Sequence, residues 1–350
     1  MIDIITDVRS FEQLKKEWER IECNPELRIF QTYVWCRTAW DSCVSKENGV
    51  RLWILYWHQE GKDDTVIFPF YIDRQRRLRI IMDTHSDICD SVHGPSNINR
   101  HWAYKEAAEI IRCEKSISSV FLQKMDGRSE LLNYFSVLLP GCVVSRDNAF
   151  SWLVAEQSDS FIAGQKQFRR KDRDRLKAIA RKKDGFDFKI LSLSNGDTFP
   201  EGYVVDLRKT MIGWRRRDAS FLTDHMINFI KEIYISGKCE IPVLVKDGCV
   251  SALAFRLLKG NWISYWIVLY KEQRLTTELY LAYMMQKTQE CGCVFDFGVG
   301  TYGYKLGVFR PKLGATFSLR YARNLFCHLL CLINANVRLL KDLFKPRLCK

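Results

Sequence analysis

The second half of the sequence contains three strand-like runs with almost no chain between them. They cover Glu240–Lys246, Val250–Leu258 and Trp262–Leu269. The breaks are Asp247-Gly248 and Lys259-Gly260, and dipeptides of this kind favour the tight turns of β-hairpins. Because two successive hairpins place neighbouring strands side by side and antiparallel, this region predicts a meander rather than a regular alternation of strands and helices.

The first half mixes helices and hairpins in the same way. Helical spacing occurs in Phe11–Cys23 and in about Thr32–Ser42, and the strand-like runs Val50–Trp57 and Thr65–Asp73 flank a turn at Gly61–Asp64. We therefore predict an α+β fold in which each of two domains is a mostly antiparallel sheet flanked by helices. The predicted segments are a domain over 1–148, a domain over 149–323, and an amphipathic basic helix over 324–350.

Composition limits the class of protein and its surroundings. The chain has 350 residues, 47% of them hydrophobic, and a formal net charge of +13. Such an excess of positive charge favours anionic partners, namely nucleic acid, phosphorylated metabolites or an acidic membrane surface. The sequence has 13 cysteines but no C-x-x-C pair, and no apolar run approaches the roughly 20 residues that cross a bilayer. These features predict a cytoplasmic protein with reduced thiols and no metal site.

A glycine-rich segment, residues 298–303, matches the G-x-G-x-x-G pattern of dinucleotide-binding turns. Such a turn needs a helix directly after the third glycine, because the helix N-terminus holds the pyrophosphate. Here Gly307 and Pro311 deny the following segment a helix of useful length, and too few residues remain for the parallel sheet that the site requires. We therefore reject a dinucleotide site and expect these glycines to serve a turn or a close backbone approach.

A stronger phosphate-binding pattern lies just upstream. The strand that ends at Leu269 is followed by a short loop and by a predicted helix over Thr277–Glu290. The free amides at the start of such a helix and the helix dipole attract a phosphate group. An ordinary capped helix after a strand is the alternative. The residues predicted to hold a diphosphate are Lys271, Arg274, Leu275, Thr276 and Thr277.

Five segments, which span most of the chain, share the order and residue types of one family. They read FQTYVWCRTAW (30–40), HSDICDSVHGP (85–95), FRRKDRDRLKAIARKKDGF (168–186), GWRRRDAS (213–220) and DFGVGTYGYKLGVF (296–309). Together they resemble the CelD-like GNAT acyltransferases, which are related to the FemAB aminoacyl transferases.

This resemblance implies a double-GNAT architecture and an N-acyltransferase reaction. The donor would be acetyl-CoA or another acyl-CoA. The acceptor would be an amine of an amino sugar or of another envelope or exopolysaccharide precursor, as a small molecule or linked to lipid or nucleotide. Two positions depart from the family pattern. Thr276-Thr277 stand where a glycine is usual before the donor helix, and Arg215-Arg216 replace the usual Lys-Gly after the buried Trp.

Three residues near the glycine turn are candidates for the chemistry of acyl transfer. The reaction needs an acceptor for the amine proton and groups that stabilise the oxyanion and the leaving thiolate. Asp296 ends a strand beside the proposed donor loop, where a carboxylate can accept the proton. Tyr304 can protonate a thiolate, and Lys305 can hold a phosphate or a carboxylate. The alternatives are an aspartate that orders the glycine turn, a packed tyrosine and a solvated lysine.

Two further segments are candidates for acceptor binding. Asp87, Asp90 and His93 share one polar loop of the first half, which would line the cleft of a two-domain transferase. A solvated loop with Asx turns is the alternative. Trp214 next to Arg215 can stack on a sugar or bind a carboxylate, whereas a half-buried tryptophan with exposed arginines is equally consistent with the sequence.

Two basic segments leave other functions open. The predicted helix over 166–183 fits a solvated face, a clamp for an anionic acceptor or a nucleic-acid surface. The predicted helix over 324–350 fits the inner face of a membrane or a face of the chain itself. One alternative function is a FemAB-like transferase that uses aminoacyl-tRNA, the only nucleic acid that we expect as a partner of a transferase. The other is a non-catalytic basic module on a membrane or a nucleic acid.

Overall fold

The chain divides into two compact units. The first comprises Met1–Ala149 and the chain from Gly314 on, and the second comprises Phe150–Leu313. The predicted helix over 166–183, except Arg170 and Asp174, and the predicted helix over 324–350 lie outside the described residues. The computed structural model describes residues 1–59, 64–95, 99–157, 187–300, 302–303 and 305–323, together with those two residues.

The first unit combines two sheets with helices. Its helices are α1 (Val8–Gln13), α2 (Lys15–Ile21), α3 (Tyr33–Ser42), α4 (Arg100–Cys113) and α5 (Glu130–Leu138). Its strands are β1 (Ile2–Ile5), β2 (Arg51–Leu52), β3 (Ile54–His58), β4 (Thr65–Phe68), β5 (Phe70–Ile72), β6 (Arg77–Ile80), β7 (Val92–His93) and β8 (Ser119–Asp126). One sheet has the order β1-β3-β4-β7, and the other contains β8-β6-β5-β2. Of these neighbours, β6 and β8 run parallel and the others antiparallel.

The chain passes between the units within two strands, β9 (Val143–Ala155) and β15 (Lys312–Ala322). The sequence analysis assigns residues 314–323 to the second domain. The structure instead groups them with the first unit, because β15 pairs antiparallel with β8 from Thr316 opposite Asp126 to Ala322 opposite Ser119. Because the two paired strands are far apart in the sequence, no local pattern of residues predicts that they pair.

Aromatic side chains fill the core of the first unit. Phe68 on β4, Phe70 on β5, Tyr104 on α4 and Phe135 on α5 are fully buried. The ring centroid of Phe135 lies 6.1 Å from that of Phe68 and 6.4 Å from that of Phe70. Helix α5 begins next to Ser129, whose hydroxyl accepts an amide of the first turn at 3.1 Å. The cap fixes the start of the helix and so directs its apolar face onto the sheet.

A buried ion pair follows β6. Arg79 Nε and Nη2 donate to the two carboxylate oxygens of Asp83 at 3.0 and 2.8 Å, and Asp83 is fully buried. Burial raises the pKa of Asp83 to about 6, although the charge of Arg79 opposes the rise. The carboxyl group therefore binds a proton at a higher pH in the folded chain than in the unfolded one.

The second unit is one sheet with helices. Its helices are α6 (Glu201–Gly213), α7 (Asp224–Ile235) and α8 (Arg274–Glu290), and a short π-helix covers Lys305–Phe309. Its strands are β10 (Asp187–Leu191), β11 (Cys239–Lys246), β12 (Cys249–Lys259), β13 (Trp262–Tyr270) and β14 (Cys293–Val299), with the second half of β9. The strand order is β10-β11-β12-β13-β14-β9, and only the β13–β14 pair of this order is parallel.

The α+β prediction is confirmed, and the predicted meander is present as β11, β12 and β13. Asp247 and Gly248 have φ of 51° and 74°, the left-handed backbone that a tight hairpin turn requires. Helix α6 is not predicted, because Gly202 and two adjacent valines weaken the helical signal of its first turns. Across the described parts of the chain, no helix has the length and apolarity to span a bilayer.

Removing the Phe135 side chain tests the aromatic core. We expect Phe135→Ala to lower the free energy of unfolding of the first unit by about 3–5 kcal/mol, because it leaves a cavity among packed rings. The matched control is Val137→Ala on the same helix, where the side chain is 80% exposed, and its effect should stay within about 0.5 kcal/mol. Denaturant titration measures both, and equal effects of the two substitutions would contradict this description of the core.

The raised pKa of Asp83 predicts how stability depends on pH. Between about pH 4 and pH 6 the folded chain keeps a proton on Asp83 that the unfolded chain has released, so this group lowers the free energy of unfolding as pH rises. The free energy of unfolding of the native protein minus that of Asp83→Asn should fall through this window, by at most about 1.4 kcal/mol per pH unit. A difference that stays level or rises would show that the pKa of Asp83 is not raised.

Candidate functional site

The parallel strands β13 and β14 are paired over only part of their length. Three pairs join them, Trp262 with Val294, Ile263 with Phe295 and Ser264 with Asp296. Beyond the last pair, β13 continues to Tyr270 alongside β12, and β14 continues to Val299 alongside β9. Within the described ranges no further pair joins β13 to β14, so their facing edges are not paired with each other beyond Ser264 and Asp296, and we call this unpaired stretch the opening.

Irregular pairing on both sides coincides with the end of this ladder. The β12–β13 register shifts between Phe255 and Arg256, and the β14–β9 register shifts between Asp296 and Val299. Bulges of this kind bend a strand and increase its twist. The two irregularities lie where the pairing of β13 with β14 ends.

Helix α8 starts at the carboxyl end of β13, after the link Lys271–Gln273. It begins at Arg274, three residues before the predicted start at Thr277. The Leu275 amide donates to the Glu272 carbonyl at 3.0 Å, and the Thr276 amide donates to the Gln273 carbonyl at 3.2 Å. These two amides are thus engaged in the first turn, and the positive end of the helix dipole lies beside the end of β13.

The predicted diphosphate-binding residues divide by exposure. Lys271 is half-buried and Arg274 is exposed, with its Nε donating to a Glu272 carboxylate oxygen at 2.7 Å. Leu275, Thr276 and Thr277 are buried. The Thr276 hydroxyl oxygen is shielded from solvent and has no hydrogen-bond partner in the part of the chain that the structure covers. The charged side chains are therefore the accessible part of the predicted set.

Asp296 orders the glycine segment at the end of β14. Its side chain is 1% exposed, and Oδ1 accepts the Gly298 amide at 2.8 Å. Gly298 and Gly300 have φ of 67° and 106°, a backbone that favours glycine. A Cβ atom at Gly300 would also lie 2.7 Å from the Tyr302 ring. Gly298 thus lies at the register shift within β14 and Gly300 directly after the strand, and among the described residues that follow only the π-helix precedes β15.

Lys305 returns to the same segment. It is 4% exposed, and its ammonium group donates to the Phe297 carbonyl and to the Val299 carbonyl, the latter at 3.4 Å. The structure thus brings Lys305 and Asp296 together on the last residues of β14, whereas Tyr304 lies outside the described residues. A buried cation and a buried carboxylate at the end of a strand that borders an opening can stabilise charge and move a proton.

The candidate acceptor residues of the first unit have polar partners. Asp90 accepts the Ser91 amide at 2.8 Å, and burial raises the pKa of Asp90 to about 7. His93 is buried and contacts Arg100, and burial together with that charge lowers its pKa. Asp87 is half-buried in the same loop. This loop holds a carboxyl group that can exchange a proton near neutral pH.

The candidate acceptor residues of the second unit follow α6. Trp214 is 52% exposed, and Arg215 has a φ of 54°. The contacts of the next residue, Arg216, are not predicted from the sequence. Its guanidinium carbon lies 4.8 Å from the Trp214 ring centroid, and its Nη1 donates to the Lys271 carbonyl at 2.9 Å. Arg216 thereby joins the Trp214 segment to the loop before α8, a link that the run of three arginines alone could not indicate.

A second missed residue, Arg256, is fully buried on β12. In the sequence it is one arginine within the apolar run ALAFRLL, and the only signal is that a charge stands where a strand is otherwise apolar. Its guanidinium carbon lies 3.9 Å from the ring centroid of Tyr265, the first β13 residue beyond the pairs with β14.

No protein-family model matches this sequence, and no curated protein matches it by sequence. Several solved structures are similar in fold. FemX has a TM-score of 0.56 and 12% identity, and the match covers 94% of this chain and 99% of that one. The C-terminal domain (DUF2156) of a protein assigned as a lysylphosphatidylglycerol synthetase, from Agrobacterium fabrum, has a TM-score of 0.54 and 14% identity, with 86% and 95% covered.

A third similar structure is a tandem GNAT protein from the clavulanic acid biosynthesis pathway. It has a TM-score of 0.50 and 9% identity, and the match covers 91% of this chain and 98% of that one. At these identities the comparisons concern the fold alone, and the CelD-like part of the resemblance stays a prediction. The similar structures agree with the α+β architecture described above, and the chain has a tandem GNAT-type fold.

Proposed function

We propose that the protein transfers an acyl group to an amine at the opening between β13 and β14. The observation that carries this proposal is the end of the strand ladder at Ser264 and Asp296, with the start of α8 on the β13 side and Lys305 on the β14 side. Two unpaired strand edges offer backbone groups to an extended substrate, and the neighbouring charges suit a reaction that develops an oxyanion. The fold that the chain shares with FemX and with a tandem GNAT protein supports the same reaction class.

Acyl-CoA is the donor that fits this opening. The amide groups of its pantetheine arm can hydrogen-bond to the β13 edge over Tyr265–Tyr270, as an added strand would. Its diphosphate would then lie near the start of α8, where the helix dipole, Lys271 and Arg274 supply positive potential. Because two amides of the first turn are engaged internally, charge contributes more to this part of the site than amide hydrogen bonds do.

The chemistry assigns a role to each candidate residue. The amine nitrogen attacks the thioester carbon, a C–N bond forms, and the C–S bond breaks. Asp296 accepts the proton that the amine loses, the charge of Lys305 stabilises the oxyanion, and Tyr304 protonates the departing thiolate. Protonated Asp296 then returns its proton to water, and Tyr304 regains one, so that both residues are ready for the next turnover.

The acceptor proposed here is the amine of an amino sugar or of a related envelope precursor. Trp214 can stack on a sugar ring, and Arg215 can hold an anionic group. We propose a cytoplasmic location, with contact of the 324–350 segment with the inner face of the membrane as a further possibility.

A second candidate function is transfer of an aminoacyl group from tRNA. The net charge of +13 favours a polyanionic donor. Exposed Trp214 and Arg216, in contact with each other, provide the aromatic and basic surface on which the end of a nucleic acid stacks. The similarity to FemX is consistent with this candidate. Both candidates share the amine acceptor and the roles of Asp296 and Lys305.

Calorimetry with acetyl-CoA tests the donor. We expect binding below millimolar concentration, and roughly tenfold weaker binding when Lys271 and Arg274 are both replaced by Ala, because the diphosphate loses two nearby charges. The matched control is Lys259→Ala, which removes the same kind of charge beside Trp262, at the other end of β13. No heat at near-millimolar acetyl-CoA would contradict the acyl-CoA donor. A salt-dependent gel shift with aminoacyl-tRNA would then favour the second candidate, and absence of both would favour a non-catalytic module.

Asp296→Asn tests the proton acceptor. The Asn carbonyl can still accept the Gly298 amide, so the turn should persist while the charge is lost. We expect turnover to fall at least tenfold with the donor Kd nearly unchanged, measured by release of free CoA thiol and by calorimetry. Asp296→Ala, which also removes the acceptor of the Gly298 amide, should weaken donor binding as well. Unchanged turnover in Asp296→Asn would remove Asp296 from the mechanism.

A further inference from the structure

The guanidinium group of Arg256 is buried with one of its edges unpartnered. Arg256 is 0% exposed, and its Nη1 donates to the Phe255 carbonyl at 3.3 Å. Its Nε and Nη2 are shielded from solvent and have no hydrogen-bond partner within the described ranges. Buried N–H groups of a cation without acceptors cost stability, and native structures keep few of them. We therefore expect a bound group to supply acceptors for these two N–H groups.

The two unpartnered nitrogens lie on the same edge of the planar guanidinium group. Their N–H bonds are parallel, and this is the edge that engages both oxygens of one carboxylate. Among the described residues, three other arginines use the same edge in that way. The pairs are Arg20 with Glu17, Arg79 with Asp83 and Arg128 with Asp126. The unpartnered edge of Arg256 thus has the geometry that binds a carboxylate.

Aromatic rings hold the guanidinium in place. Its central carbon lies 3.9 Å from the ring centroid of Tyr265, 4.5 Å from that of Tyr280 and 5.8 Å from that of Tyr283. Cation–π contacts stabilise the charge and fix the orientation of the group, but the ring faces do not take the place of an in-plane acceptor. The rings therefore position the edge without saturating it.

The nearest candidate for an internal partner is already engaged. Glu240 is the residue opposite Arg256 on β11. One of its carboxylate oxygens accepts the Tyr283 hydroxyl at 2.6 Å, and the other pairs with the Lys287 ammonium at 2.9 Å. Both carboxylate oxygens of Glu240 thus have partners other than Arg256, and Lys287 also pairs with Glu290 at 2.7 Å.

The location connects Arg256 with the opening. Tyr265, whose ring lies closest to the guanidinium, directly follows Ser264, the last β13 residue paired with β14. Arg256 is therefore stacked on the first β13 residue beyond the paired stretch, and the Tyr265 ring also contacts Phe297 of β14 at 5.3 Å between centroids.

We propose that Arg256 binds a carboxylate of one of the two transfer substrates through Nε–H and Nη2–H. This inference rests on the proposed function for the identity of the substrates. The carboxylate belongs either to the acyl chain of the donor or to an acidic amino-sugar acceptor, and the chemistry of recognition is the same for both. Binding supplies the acceptor that the buried edge lacks.

Stability without ligand gives the first test. Arg256→Met keeps the volume of the side chain and removes the unpartnered N–H groups, so the thermal midpoint of the free protein should stay the same or rise. The control is Arg79→Met. In the native protein the same edge of Arg79 binds the carboxylate of Asp83, so the substitution removes that partner and the thermal midpoint should drop by several degrees. A drop in Arg256→Met as large as in Arg79→Met would show a structural role and overturn the proposal.

Binding by matched probes gives the second test. Calorimetry compares succinyl-CoA with butyryl-CoA, and 2-amino-2-deoxyglucuronic acid with glucosamine, so that each pair differs in one carboxylate. In the native protein one acidic member should bind at least about tenfold more tightly than its neutral partner. That preference should disappear in Arg256→Met and in Arg256→Lys, which keeps the charge but not the two-pronged edge.

The outcomes separate this inference from the proposed function. A preference in the first pair identifies the donor as the acidic substrate, and a preference in the second identifies the acceptor. Equal binding within both pairs, or a preference that survives Arg256→Met, overturns the inference and leaves the proposed transfer reaction untouched. If neither thioester binds but the acidic sugar shows an Arg256-dependent preference, the carboxylate site stands and the acyl-CoA donor is wrong.

Discussion

Pairing between β13 and β14 stops after three residue pairs, and the features of the candidate site depend on that limit. Both strands persist beyond it because each keeps a partner on its other side, β12 for β13 and β9 for β14. The register shifts beside Arg256 and after Asp296 lie where this pairing ends, and irregularities of this kind bend a strand. The chain then places the start of α8 at the end of one strand and the glycine turn at the end of the other. A fully paired sheet would leave no edge for an extended substrate.

Burial strengthens the electrostatic interactions that the charged groups near this opening can make with a substrate. Asp296, Lys305 and Arg256 are each less than 5% exposed, and each has a fixed contact: an amide, two carbonyl groups and three aromatic rings respectively. In a low-dielectric interior such charges act on a substrate far more strongly than they would in water. The pair Arg79–Asp83 contrasts with Arg256, because in it the two opposite charges contact each other. Arg256 lacks such a partner, and it is the one we assign to ligand binding.

The parts of the fold that the sequence predicts are those with local causes. The hairpin turn at Asp247-Gly248 needs left-handed backbone at both residues, and the glycine turn after Asp296 has the same local origin. The start of α8 is misplaced by three residues because Gln273 provides no side-chain cap that would mark it. The pairing of β15 with β8 joins segments almost 200 residues apart, and no local pattern encodes it. In the sequence, Arg256 cannot be told from an exposed arginine, because its burial depends on packing in three dimensions.

Hydrogen exchange at single-residue resolution tests most directly whether the opening between β13 and β14 holds the donor. In β13, one set of alternating amides faces β12 and the other set faces the opening over Ile267–Tyr270, the regular part of the strand beyond the register shift. If the donor adds to this edge as a strand would, saturating acetyl-CoA slows exchange of the alternating amides that face the opening and leaves those that face β12 nearly unchanged. Acetyl-CoA that binds without slowing exchange of any amide in this stretch would contradict the account.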